Sequence, residues 1–341
     1  MDASRFSRNT LNILCLQTSM TFLMALPVAV VAQTTVDEVT RQNLSGVYSV
    51  NALLINGDAI RFGFWDFNVS DYVDLELEGF GDAESARTRQ SLSVASFPYD
   101  WEFPVRDTDD RLLLGVGLSY LTQDQDLTLV VDDSEQRADR VQDTVLTLSG
   151  RAAWRHQVNE DVTMTLGSGL HWMRYRNDTD FRSEASRELR SSLDGISANI
   201  EVDALMAEPA IGLSYQRVIR SVDWHFFTDY HYLFGQTLDP DRDAHDASPE
   251  SWYWTNGVRM LNPVFSRALP GQNIWVRFAR VDVGGDIGDL MGNDHYYEAG
   301  IAWLVDTGDY IPFVDNIAIG VNFNVGSVLR GGSLYLTFNE D

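Results

Sequence analysis

The chain has 341 residues, of which 44% are apolar, 11% aromatic and 22% charged, which excludes a disordered or collagen-like polymer and requires a large apolar surface to be covered somewhere. All 25 basic residues are Arg, set against 50 Asp and Glu, and a formal net charge of -25 repels phosphate, so nucleic acid is excluded as a partner. Beyond residue 32 no stretch approaches the roughly 18 consecutive apolar residues of a spanning helix, so any membrane crossing must use strands.

The N-terminus carries Arg5 and Arg8, then a largely apolar run from Leu11 to Val31 that closes on Val30-Val31-Ala32 before Gln33. Short residues at those positions suit a signal peptidase, so residues 1–32 are expected to be a signal peptide cleaved after Ala32, with a retained helical anchor as the alternative. Cys15, the only cysteine, lies inside this segment, so the mature chain has no thiol for a disulfide or a thiolate metal site. Residues 33–57 carry Val36, Val39 and Val47 at loose helical spacing with Asn43 between them. This segment is a candidate luminal plug, or else a short periplasmic leader.

From residue 58 onward the pattern changes to period two. Ile317, Ile319, Val321, Phe323 and Val325 alternate with Ala318, Gly320, Asn322, Asn324 and Gly326, one face apolar and the other small or polar. The segments of this kind are 58–68, 88–98, 111–121, 144–155, 162–175, 205–216, 222–234, 250–262, 272–282, 295–305, 314–326 and 331–338, a domain spanning 58–338. Periodicity alone is shared by soluble sandwiches and membrane barrels. Loop lengths separate them, because outer-membrane barrels alternate short periplasmic turns with longer external loops.

With periplasmic termini, the external connections are 69–87, 122–143, 176–204, 235–249, 283–294 and 327–330, long except for the last. The inward ones are 99–110, 156–161, 217–221, 263–271 and 306–313. The external loops are also acidic: residues 122–143 hold seven acidic and two basic side chains. The fold class expected is all-β, a twelve-stranded antiparallel transmembrane barrel.

If the apolar face meets lipid, the alternate positions line the lumen. They include Arg151 and Arg155 on the fourth strand, His171 on the fifth, and Asp223, His225, Asp229 and His231 on the seventh. Arg259, Arg277 and Glu298 follow on later strands. A charge on the lipid face near the midplane costs about 2–4 kcal/mol, so the inward arrangement is the cheaper one. Twelve strands give a backbone diameter of roughly 24 Å, wide enough for one α-helix about 10 Å across.

Several phrases resemble a known family: His171-Trp172-Met173-Arg174-Tyr175-Arg176-Asn177-Asp178, Asp229-Tyr230-His231-Tyr232, Ser251-Trp252-Tyr253-Trp254, Asp294-His295-Tyr296-Tyr297-Glu298-Ala299-Gly300 and Leu329-Arg330-Gly331-Gly332-Ser333. The chain after residue 50 is similar to the solitary outer membrane autotransporter-like β-barrel family. The resemblance implies a barrel of autotransporter translocator type, a helix through its lumen and no passenger. It carries no catalytic residues. The expectation is therefore an outer-membrane protein with a structural or permeability role and no enzymatic activity, with lipid, lipopolysaccharide and the barrel-assembly machinery as partners and no cofactor. A narrow pore for small solutes is the alternative.

An omptin-like surface hydrolase is the second alternative, since Asp132-Asp133 and His245-Asp246 fall on external loops, where a general base needs a partner in hydrogen-bond reach. Three luminal histidines, His171, His225 and His231, are also metal-capable, although histidines in a polar lumen are more often hydrogen-bonded structural groups, and no metal is expected.

Overall fold

The computed structural model describes residues 31–55, 65–67, 92–127, 139–182, 184–262, 271–307, 316–326 and 331–338. Most of the expected signal peptide, the greater part of the first expected strand and the Asp132-Asp133 pair lie outside these residues.

A helix comes first, α1 (Val31–Ile55), then a three-residue strand, β1 (Trp65–Phe67). Eleven long strands follow: β2 (Leu92–Pro104), β3 (Arg111–Leu127), β4 (Asp139–Gln157), β5 (Val162–Asp180), β6 (Glu201–Ile219), β7 (Val222–Leu238), β8 (Glu250–Asn262), β9 (Gln272–Gly285), β10 (His295–Asp306), β11 (Asn316–Val325) and β12 (Gly331–Phe338). Each pairs antiparallel with its sequence neighbours, making one continuous sheet from β2 to β12. At its far edge β1 adds to β12, with Trp65 opposite Leu334 and Phe67 opposite Gly332. Among the described residues no pairing joins β1 to β2.

The connections sort by end. Residues 105–110, 158–161 and 220–221 are tight turns at one end, the last made by Arg220 and Ser221, both at positive φ (51° and 68°). Two successive residues in that conformation are what a two-residue hairpin needs to match the strand twist. At the other end the loops carry structure of their own: α2 (Glu184–Leu193), a 3-10 turn (Asp243–His245) and α3 (Asp286–Met291).

Several strands run further outward than the sequence pattern indicated. The fifth continues to Asp180 and the sixth begins at Glu201, so the expected loop 176–204 contracts to residues 181–200. The reason is visible in the side chains. On this extension Arg176 faces outward while Asn177 and Thr179 are buried, so both faces become polar and the apolar alternation fades while backbone pairing continues.

The two faces have opposite chemistry. Outward positions hold large apolar side chains exposed on the sheet surface: Phe97 (69%), Leu118, Leu148, Leu170, Ile211, Leu213, Phe226, Phe278, Ile301 and Ile319. Alternate positions are buried and often polar, among them Ser119, Thr147, Asn177, Asn322 and Asn324. In water such an exposed apolar surface would be costly, at about 25 cal/mol per Å², whereas in hydrocarbon it is matched to its solvent.

Against the polar face lies α1, whose buried ridge is Thr40, Leu44, Tyr48, Asn51 and Ala52, with Leu53 and Leu54 beside it. Spacings of three and four residues place that ridge on one side of a helix. Val36, Val39 and Val47, the face suggested by sequence, are only half-buried. The ridge is mixed because the wall it meets is polar: Asn51 Nδ2 donates to Thr147 Oγ1 at 2.8 Å, and the Tyr48 hydroxyl donates to the Val202 carbonyl at 2.7 Å. Gly46 lets α1 approach α3 closely, since a Cβ there would stand 3.1 Å from Leu290 Cβ. Near its N-terminal half, Arg41 Nη1 donates to the Asp243 carbonyl at 3.3 Å. The helix is thus gripped at the loop-rich end by α3 and the 3-10 turn, and its C-terminal half points down the inner face.

Candidate functional site

All ten residues expected to line a lumen share the strand parity of the inner face. They divide into two tiers. Toward the loop-rich end His171, His231, Arg277 and Glu298 are buried. Toward the tight-turn end Arg151, Arg155, Asp223, His225, Asp229 and Arg259 keep exposed or half-exposed side chains.

The buried tier is organised by a residue that the strand pattern did not single out, Glu208. Its carboxylate meets His171 Nε2 at 2.6 Å, His231 Nδ1 at 2.7 Å and the donating Tyr253 hydroxyl at 2.7 Å. These four groups come from β5, β6, β7 and β8 in turn, so one carboxylate stitches four consecutive strands at one level. The Tyr253 ring also stacks on His231, with centroids 4.4 Å apart at 9°. Gly169 makes the space, because a Cβ there would stand 2.9 Å from His171 Nε2.

Glu208 was legible in principle, alternating with the outward Ala207, Pro209 and Ile211. The expected strand 205–216 contains it, and the β6–β7 register breaks there, running to Ala207 opposite Phe234 and resuming at Ala210 opposite His231, since Pro209 has no N–H to give. A second buried pair joins β9 to β10, Arg277 Nη2 to Glu298 Oε2 at 3.8 Å, with the guanidinium 5.1 Å from the Phe227 ring.

The open tier is built from cross-strand ion pairs. Arg151 on β4 reaches over Gly115 to Asp100 on β2, with Nε to Oδ1 at 2.8 Å. A Cβ at position 115 would collide with both partners, standing 2.6 Å from Arg151 Nε. Arg155 meets Glu102 at 3.4 Å, and Gln216 donates to Asp223 at 2.7 Å. Arg151 is half-exposed at 52% of its side chain, so these pairs stand in water. At the same end, on the outward side of β4, Asp110 in the β2–β3 turn accepts from Trp154 Nε1 at 3.1 Å and lies 2.8 Å from His156 Nδ1. Burial alone would raise its pKa, but the hydrogen bond and charge of His156, with Trp154 and the Gln157 N–H, hold it below the usual carboxylate value.

Of the loop groups that suggested a hydrolase, Asp132-Asp133 lie outside the described residues and His245 is described. His245 is buried and its Nε2 donates to the Ile196 carbonyl at 3.0 Å, tying the β7–β8 loop to the β5–β6 loop. That nitrogen therefore carries a proton and has no lone pair to offer as a base. His171 and His231 turn onto Glu208 rather than toward a point shared with His225. Among the described residues no group of three or more His, Cys, Asp or Glu side chains is arranged to hold a metal ion.

Three solved structures are similar in outline. The translocator domain of the autotransporter NalP from Neisseria meningitidis aligns with a TM-score of 0.45 at 9% identity, over 69% of this chain and 76% of that one. The transport unit of the autotransporter AIDA-I from Escherichia coli gives 0.47 at 10%, over 73% and 82%. The β domain of the Bordetella autotransporter Brka gives 0.42 at 12%, over 72% and 87%. No curated protein matches the sequence. The family model for the solitary outer membrane autotransporter β-barrel domain matches residues 45–340, the C-terminal part of α1 and every strand. The chain belongs to that family.

Proposed function

We propose that the protein is a closed twelve-stranded barrel of the outer membrane, plugged by α1, with a structural or permeability role and no enzymatic activity. The observation that carries this reading is the inverted polarity of the sheet: large apolar side chains outward, ion pairs and histidines inward. Family membership implies the outer-membrane location. Pairing of β1 with β12 supports closure, since an even-stranded barrel joins its first and last strands.

In this reading residues 1–32 direct export and are removed, the tight turns face the periplasm, and α2, α3 and the 3-10 turn face outside. The partners are membrane lipid, lipopolysaccharide and, during biogenesis, the barrel-assembly machinery. The role is tested by locating the mature chain in fractionated Gram-negative cells and following its migration in detergent gels with and without heating. A compact, faster-migrating unheated band in the outer-membrane fraction is expected, and a chain recovered in the soluble periplasm refutes the reading.

A second reading, a narrow porin-like pore, is favoured by the water-facing ion pairs of the open tier. Discrete conductance steps in planar bilayers from the full mature chain support it. Silence both with and without residues 33–57 rejects it.

A further inference from the structure

One row of the outward face is polar amid apolar neighbours. Where β7, β8 and β9 adjoin, Thr228, Asn256 and Arg280 stand side by side in register, and all three have outward parity. Phe226, Val258 and Phe278 lie on one side of this row, and Tyr230, Trp254 and Asp282 on the other. Trp254 Nε1 donates to Thr228 Oγ1 at 2.7 Å and Thr228 donates to Asn256 Oδ1 at 2.8 Å. The chain of bonds ends there: among the described residues Asn256 Nδ2 meets no acceptor. Next to it the Arg280 guanidinium is half-exposed, ion-paired to Asp282 and 5.8 Å from the Tyr297 ring.

On a surface that faces hydrocarbon, an amide donor without an acceptor is costly unless the adjoining molecule supplies one. A plain acyl chain does not. From the geometry we infer that this row is a seat for one molecule of the acylated, phosphorylated glycolipid of the outer leaflet, its phosphate at Arg280 and an acyl amide or ester carbonyl at Asn256 Nδ2.

The chemistry selects this occupant on three counts. Arginine's guanidinium suits a phosphate, which here shares Arg280 with the Asp282 carboxylate that takes Nε and Nη2 and with the Tyr297 hydroxyl at Nη1, and Arg280 lies at the upper limit of the apolar run Ile274, Val276 and Phe278 on β9, where a headgroup begins. Asn256 lies beside it on the neighbouring strand, below the aromatic pair Trp252 and Trp254, at the level where acyl linkages follow a headgroup. Exposed Phe226, Tyr230 and Phe278 then offer the walls for the chains. An N-acylated glycolipid carries amides at that depth, and the seat lies toward the loop-rich, external end. The inference rests on the outer-membrane barrel reading above.

The test is native mass spectrometry of the full mature chain, delipidated in detergent and titrated separately with lipid A and with phosphatidylethanolamine. The wild type is expected to retain one lipid A and to prefer it about tenfold, and Asn256→Leu and Arg280→Gln each to weaken retention about tenfold, the size of one lost hydrogen bond or charge contact. Leu170→Ala, on the outward face of β5, should leave it unchanged. As a second readout, Asn256→Leu should leave stability equal or higher in phosphatidylcholine bilayers and abolish the stabilisation that added lipid A gives the wild type.

Equal retention by wild type and both variants overturns the seat. Equal retention of the two lipids overturns the assignment to the glycolipid. Dimers abolished by Asn256→Leu overturn it in favour of a second copy of the chain. Failure of the underlying reading looks different: the wild type itself then lacks heat-modifiable migration and membrane partitioning.

Discussion

The inner face offers a comparison between its two ends. At the loop-rich end α1, α3 and the 3-10 turn fill the space, and charged groups there survive only by mutual satisfaction: one carboxylate takes donors from three other strands. At the tight-turn end similar residue types, also crossing between strands, stand in water. Similar side chains on the same parity thus differ in energetic weight by their solvent. Where water is excluded, a lost partner leaves a charge stranded, and where water is present it fills in.

The largest effect expected from this contrast is at Glu208. Replacing it with Ala leaves His171, His231 and Tyr253 without their acceptor and should cost about 3–5 kcal/mol of unfolding free energy in urea titrations of the refolded barrel, with Glu208→Gln recovering part of it. A loss comparable to that of an exposed pair would break the comparison.

Next comes the helix seat. Gly46→Leu drives a side chain into Leu290 and should cost about 1–3 kcal/mol, read as protease sensitivity of α1 with the sheet still heat-modifiable. Tyr48→Phe should cost about 1 kcal/mol by removing the hydrogen bond to the Val202 carbonyl. By contrast Arg151→Gln, in the open tier, should change stability by no more than about 1 kcal/mol, and a larger loss would show that this end is drier than its exposure indicates.

The smallest effect is in pH. Asp110 has its pKa lowered in the folded state, so the stability it contributes is present above the ordinary carboxylate value, near 3.9, and is lost as pH falls through the lower folded value. Acid titration of the wild type against Asp110→Asn should therefore show the two converging only below about pH 4.

Much of this organisation was legible in the residues. Period two separated the faces, and every one of the ten inner candidates, from Arg151 to Glu298, has the inner parity. What sequence did not disclose follows from physics that local pattern does not encode. The strands' outward extensions, such as Arg176 to Asp180, lose their apolar alternation. Val36, Val39 and Val47 do not outline the whole contact ridge of α1, although Val47 packs against the core, because a helix inside a polar wall is not selected by greasiness: Asn51 and Tyr48 serve it through hydrogen bonds. α2 and α3 fall in the expected external loops 176–204 and 283–294, α2 being mostly polar and α3 only six residues long. The tying role of His245 depends on a carbonyl nearly fifty positions away, which spacing along one chain cannot reveal.

The central claim is that the apolar face is in hydrocarbon and the charged face in water. Since the only cysteine lies within the expected signal peptide, single cysteines placed at Leu148, Leu170 and Phe278, or at Arg151, Asp223 and Arg259, can be spin-labelled in the bilayer-reconstituted chain. Collision with oxygen and with a water-soluble nickel chelate then reports each site's solvent. The account predicts oxygen-accessible, chelate-protected labels at the first three positions and chelate-accessible labels at the second three. The reverse ordering, or chelate access at all six, would contradict it.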